Sequence, residues 1–223
     1  MPSASTSGDL PARQACSGGG WRGSALRALT VCGLIGLLLW AWGRDGGRGP
    51  ALHGHMLDGR PAPAFQGLRD THGRAFAWGA RRGDAVLVFF GYTHCPDVCP
   101  LTLVRLARVL DGLGPQAGRV QVVFVTLDPA RDTPKVLRAY LDALLPAATA
   151  LRGDAAATAR SAAQWGVRWR RVDDARGGAG DYWFDHSASV TLVGPRGHLR
   201  ARYGYAQLAA HGLLRGDLRA MLR

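Results

Sequence analysis

An α/β fold with a central mixed sheet flanked by helices is predicted by three features of this 223-residue chain. Residues 85–90 (AVLVFF) form a continuous apolar run of the kind buried at the centre of a sheet, and residues 120–127 (VQVVFVTL) form a second. Between them, residues 101–110 carry Leu103, Leu106, Ala107 and Leu110 at helical spacing. Strand, helix and strand make a βαβ unit, whose crossover is expected to be right-handed. The length and the 47% hydrophobic content suit one well-filled domain with a terminal appendage.

The appendage is amino-terminal. Residues 1–24 are rich in Ser, Gly and Ala, carry Arg13 and Arg22 against Asp9, and show no periodicity that buries a face. They read as a disordered cytoplasmic tail. Residues 28–42 (ALTVCGLIGLLLWAW) are uncharged and lie between Arg27 and Arg44. At about 1.5 Å per residue they span about 22 Å, short of a ~30 Å hydrocarbon core unless residues 24–26 join and Arg27 snorkels. An uncleaved signal anchor, a signal peptide cleaved near Ala41 and Gly43, and a buried helix of the domain all compete. Trp40 and Trp42 suit an interfacial belt, and the basic tail favours a cytoplasmic amino terminus. The favoured reading is therefore a transmembrane anchor over residues 25–43, single-pass in the inner membrane, with the domain facing the periplasm. A lipoprotein is excluded because Cys32 follows Val31 and sits within the apolar run.

Residues 44–60 are Gly-rich and polar and read as a linker, which leaves residues 61–223 for the domain. Residues 64–68 and 74–78 flank Asp70-Thr71-His72-Gly73, a hairpin signal. After the βαβ unit, residues 133–145 read as a helix with Asp132 or Thr133 as cap and Pro134 at the first helical position. Residues 155–165 form a further helix and residues 166–172 a strand. Residues 189–193 and 198–203, joined by Gly194-Pro195-Arg196-Gly197, close as a hairpin before a last helix over 207–222. With a CxxxC after the first apolar strand, this order is a thioredoxin-like arrangement.

A net charge of +12 raises the question of nucleic acid. The basic residues are scattered and no nucleic-acid-binding motif accompanies them, so that partner is set aside in favour of an acidic protein or an anionic membrane. All acidic residues are Asp and Lys135 is the sole lysine, a pattern of codon bias rather than of function.

Four cysteines are present. Cys16 in the tail and Cys32 in the apolar run need no role beyond that of small hydrophobes. Cys95 and Cys99 lie in GYTHCPDVCP (91–100), between the central strand and its helix. That junction lies beyond the carboxyl end of the strand, and the helix amino terminus favours thiolate over thiol. Pro96 and Pro100 push the preceding cysteines away from helical geometry, so residues 95–99 are expected to be a turn with the regular helix starting near Pro100. Two such thiolates converge on a soft metal ion or oxidise to a disulfide. A purely structural bridge is the competing reading for an exported protein, and the spacing departs from the CxxC of ordinary dithiol exchange.

The blocks GYTHCPDVCP (91–100), VTLDPARDTPKVLRAY (125–140) and DYWFDHSASVTLVGPRGHL (181–199) resemble the signature blocks of the Sco/SenC/PrrC family, in the same order. FQGLRDTHGRAF (65–76) resembles its entry hairpin, and the likeness covers roughly residues 60–222. The resemblance implies a membrane-anchored thioredoxin fold holding one copper ion, Cu(I) or Cu(II), through both cysteines of CxxxC and the histidine of the Asp-His-Ser block. Those positions are Cys95, Cys99 and His186. It also implies a partner, the cytochrome c oxidase subunit that carries the binuclear CuA site. Departures at Ala130-Arg131-Asp132 and over residues 168–181 bear on the partner-docking surface.

The other histidines read as bland. His53 and His55 fall in the linker, His72 in a turn, His198 on a hairpin strand and His211 on the last helix, all expected to be solvated. His94 adjoins Cys95 but hydrogen-bonds a backbone group in this reading, and the family does not use it as a ligand. His186, in a loop before a strand, becomes a ligand only through the resemblance, with Asp185 orienting its ring. The expected function is a copper chaperone for the CuA site. The alternative is a thiol-disulfide oxidoreductase in which Cys95 and Cys99 are the catalytic redox pair. A peroxiredoxin-like peroxidase is disfavoured, since Thr93 stands two rather than three residues before Cys95 and no resolving cysteine lies beyond Cys99.

Overall fold

The structure, a computed structural model, describes residues 31–37, 51–78, 83–173 and 181–223. The chain divides into two units, residues 1–48 and 49–223. In the first, residues 31–37 are helical and exposed. No helix among the described residues is long and apolar enough to cross a membrane. The expected tail over 1–24 and the rest of the expected anchor over 25–43 lie outside the described residues.

In the second unit the strands β1 (His55–Met56), β2 (Arg69–Asp70) and β3 (Ala85–Gly91) precede helix α1 (Val98–Asp111). Strand β4 (Val120–Thr126), helix α2 (Pro134–Leu144), strand β5 (Thr149–Arg152) and helix α3 (Ala155–Gln164) follow. The strands β6 (Trp169–Asp173), β7 (Tyr182–His186), β8 (Ser189–Val193) and β9 (Leu199–Gly204) lead to helices α4 (Tyr205–Ala209) and α5 (His211–Met221). One seven-stranded sheet runs β1-β9-β8-β3-β4-β5-β2, while β6 and β7 form a separate two-stranded ribbon. Strands β3, β4 and β5 are parallel, and β8 joins β3 antiparallel.

The apolar run of β3 is continuous because the sheet is covered on both faces. Leu87 and Phe89 enter a core shared with Leu103 and Leu106 of α1, Leu137 of α2 and Leu214 and Leu218 of α5. Val86, Val88 and Phe90 alternate into the opposite core, with Ala157 and Ala162 of α3, Trp165 and Phe65. Each such side chain, fully buried, contributes about 1.5–3 kcal/mol of transfer free energy. Helix α2 begins as its sequence dictates: Thr133 accepts a hydrogen bond from the Val136 N–H and Pro134 occupies the first turn.

Several expectations are corrected. The end of the expected 44–60 linker belongs to the domain, since Leu52 is buried, β1 pairs with β9, and Pro61 bridges to His198. His53 is not simply solvated: its N–H and Nδ1 lie 2.8 and 2.7 Å from the buried Asp217 carboxylate. The expected hairpin around residues 70–73 keeps its turn but not its strands. Phe65 stacks on Trp165 at 5.1 Å and Phe76 and Trp78 pack beside it, so aromatic packing replaces the ladder. The strands β5 and β7 were not expected, and the last helix breaks at Ala210. Helix α1 starts at Val98, placing Cys99 within its first turn. Pro100 is tolerated there because the missing N–H would have had no intrahelical partner.

Candidate metal centre

The candidate site sits where β3 ends and α1 begins. Gly91 closes β3, and a Cβ placed there would lie 3.0 Å from Cys99 Sγ and 3.0 Å from the Phe124 ring. The glycine is what admits the Cys99 sulfur beneath the turn. Cys99 is fully buried and belongs to the core, whereas Cys95 is half-buried. Both are free thiols.

Their electrostatics diverge. The hydrogen bond from Cys99 pulls the Cys95 thiol far below the usual cysteine range, helped by His186 and by the N–H groups of Asp97 and Cys99. The same bond and burial push Cys99 upward. The two shifts run in opposite directions, with Cys95 the one favoured as thiolate and Cys99 the one favoured as thiol. Burial also pushes Tyr92 up to about 12 and raises Tyr140.

The third member arrives on the ribbon. Strand β7 pairs His186 with Trp169 of β6, and the His186 ring packs edge-on against Tyr92 at 6.0 Å. His186 Nε2 lies 3.6 Å from Cys99 Sγ, across 87 residues of sequence. His186 is thus the last residue of a strand, not of a loop. The expected role of Asp185 is not met: its carboxylate turns outward to Arg170 Nε at 3.3 Å. Among the described residues the buried His186 Nδ1 has no hydrogen-bond partner. A cleft of about 320 Å³ opens over Cys95 and His186, bordered by Val98, Val172 and Trp183.

His94 lies apart from this convergence. Its Nδ1 is 3.1 Å from the Thr93 hydroxyl, and its ring is exposed. His94, Asp128 and Asp132 also cluster. The carboxylates there are already engaged by protein donors, Asp132 by Thr93 and Thr126 and Asp128 by Tyr182 and Arg131. Thr93, Thr126, Asp128, Arg131, Asp132 and Tyr182 all lie in the three signature-like blocks of the sequence, where Asp132 reads only as a helix cap and Asp128 has no role. Tyr182 carried no signal of its own.

Two sulfurs and an imidazole nitrogen suit a soft or borderline metal ion such as copper or zinc. A thioredoxin-like α/β domain with such a donor set at a helix amino terminus defines a class of thiol proteins that bind metal or exchange disulfides. The sequence pattern of SCO1/SenC matches residues 59–222, and the chain belongs to that family.

A "Putative copper-binding protein" of Stutzerimonas stutzeri is 34% identical over 139 residues, covering 60% of this chain and 67% of that protein. The chain spans only 58% of the human mitochondrial SCO2 homolog that it matches. The structure of Bradyrhizobium japonicum ScoI with copper bound superposes with a TM-score of 0.61 at 32% identity, covering 73% of this chain and 98% of that one. At 18% identity, and so for the fold alone, BsSco superposes with a TM-score of 0.57 over 75% of this chain and 98% of its own; it is described as a member of the Sco family of cytochrome c oxidase assembly proteins.

Proposed function

We propose that this chain is a copper-binding protein of cytochrome c oxidase assembly, holding one copper ion through Cys95, Cys99 and His186. It delivers copper to the binuclear CuA site or prepares that site's cysteines. The observation that carries this reading is the convergence of His186 Nε2, across the fold, on a cysteine pair at a helix amino terminus. A relative named as a putative copper-binding protein and a similar structure with copper bound add support. Two thiolates alone satisfy Cu(I), while Cu(II) prefers imidazole nitrogen beside sulfur, so this donor set serves both oxidation states.

The thiol-disulfide alternative draws on the same pair. A depressed Cys95 thiol beside Cys99 is poised to attack a partner disulfide and then be released as the Cys95–Cys99 disulfide, two electrons passing to the partner. The two readings separate in one experiment. Copper-loaded protein is mixed with reduced, copper-free CuA domain, and separately copper-free dithiol protein with the CuA domain in its disulfide form. Metal appearing on the CuA domain supports delivery, and thiols appearing on it without metal support reduction. The absence of both transfers, in protein that retains its fold, overturns the proposal.

The anchor over residues 25–43 belongs to the same proposal. Its support is the uncharged run 28–42, the arginines before it and the tryptophans at its far end. The domain then faces the periplasm, on the side where a CuA site is assembled.

A further inference from the structure

The loop between β4 and α2 touches both halves of the candidate site. Asp132, whose side chain is wholly buried, accepts hydrogen bonds from the Thr93 N–H at 3.1 Å, the Thr93 hydroxyl at 2.6 Å and the Thr126 hydroxyl at 2.5 Å. Thr93 stands two residues before Cys95, so these bonds fix the path from β3 into the cysteine turn. Asp128, with 2% of its side chain exposed, accepts from the Tyr182 hydroxyl at 2.8 Å and pairs with the Arg131 guanidinium. Arg131 also donates to the Tyr182 carbonyl at 3.0 Å and lies over the Tyr182 ring at 3.6 Å. Tyr182 opens β7, the strand that ends at His186. The Asp132 N–H donates to the Asp128 carbonyl at 2.9 Å, which closes the loop into a single turn.

We propose that Asp128 and Asp132 are positioning residues, a yoke that sets the cysteine turn and His186 at a fixed separation. Asp132 holds the sulfur side, and Asp128, through Tyr182 and Arg131, holds the imidazole side. Two buried carboxylates are a costly way to fill space, because apolar side chains would do so without desolvation. Among the described residues their carboxylates accept from residues on the site's flanks or in the loop itself. Among the described residues His186 Nδ1 has no hydrogen-bond partner to orient the ring, so beyond its packing on Tyr92 its placement follows the ribbon, whose strand β7 Tyr182 ties to the loop at its opening end.

The test uses full-length protein in mild detergent and two readouts. In reduced, metal-free protein, amide hydrogen exchange over residues 182–187 is expected to accelerate about tenfold in Asp128→Ala and in Tyr182→Phe, the factor equivalent to one hydrogen bond to a charged group. Strands β3 and β4 keep wild-type protection. Asp132→Asn instead accelerates exchange at residues 93–95. Tyr182→Phe removes one hydroxyl and guards against misfolding of the alanine variant. The second readout rests on the copper reading: Asp128→Ala and Tyr182→Phe weaken the sulfur-to-Cu(II) charge-transfer band and still bind one Cu(I), because only the imidazole side has moved. Unchanged exchange at 182–187 in both variants overturns the yoke, and so does a uniform rise over the whole domain. If wild-type protein binds no copper, the copper reading fails while the exchange contrast still decides the yoke.

Discussion

Replacing Asp217 by alanine tests how the amino-terminal segment is held to the domain. Asp217 lies on α5, with 3% of its side chain exposed, and accepts from the Tyr203 hydroxyl at 2.5 Å and from the His53 N–H at 2.8 Å. Tyr203 is fully buried, so its hydroxyl loses its acceptor and cannot turn to water. That costs about 1–3 kcal/mol, and loss of the more exposed His53 pair adds up to about 1 kcal/mol. The expected destabilisation is roughly 1–4 kcal/mol on those two contributions. Urea unfolding of residues 49–223, with Tyr203→Phe as the second arm of a double-mutant cycle, reads it directly. Removing both partners strands no donor, so the double variant should be more stable than the sum of the single losses implies, by about 1–2 kcal/mol. An additive cycle, or an Asp217→Ala loss below about 0.5 kcal/mol, refutes the clamp.

Trp165→Ala should cost about 3–5 kcal/mol in the same assay, because the ring is fully buried between Phe65 and Phe90; a loss under about 1 kcal/mol would contradict the aromatic core. Cys95 carries a depressed pKa, so its thiolate persists as pH falls. Alkylation of reduced, metal-free protein should stay near its plateau from about pH 8 to about pH 5, whereas an ordinary thiol near 8.5 would slow tenfold per unit. Cys99, pushed up and buried, should be spared across that range. A periplasm-active reporter fused after Arg223 should be active and a cytoplasm-active one silent; the reverse pattern refutes the anchor topology.

The sheet was legible wherever one segment carried its own signal. The runs that became β3 and β4 are apolar on both faces, and the Thr133-Pro134 start of α2 is a local cap. What escaped depends on distant partners. Strand β1 is two residues long and exists because β9 offers an edge, and Leu52 and His53 dock on elements from the other end of the chain. Four residues of mixed character, Thr149–Arg152, make β5 only between β4 and β2. The cysteine pair was readable because both thiols share one turn. His186 was readable only through family resemblance, since a ribbon outside the main sheet carries it to the site. Asp185 failed as its orienting partner because successive strand residues face opposite sides, and Asp185 faces Arg170.

Cys95, Cys99 and His186 together are proposed to hold one copper ion. The most direct measurement of this site is the visible spectrum and copper stoichiometry of reduced wild-type, His186→Ala and His94→Ala proteins, each titrated with Cu(I) and with Cu(II). Wild-type protein should bind about one ion in each state and show a sulfur-to-copper charge-transfer band with Cu(II). His186→Ala should lose or strongly weaken that band while still binding about one Cu(I) through the two sulfurs, and His94→Ala should match wild type. A band that survives His186→Ala and vanishes in His94→Ala would contradict the ligand assignment, and reduced wild-type protein that binds neither ion would contradict the copper site itself.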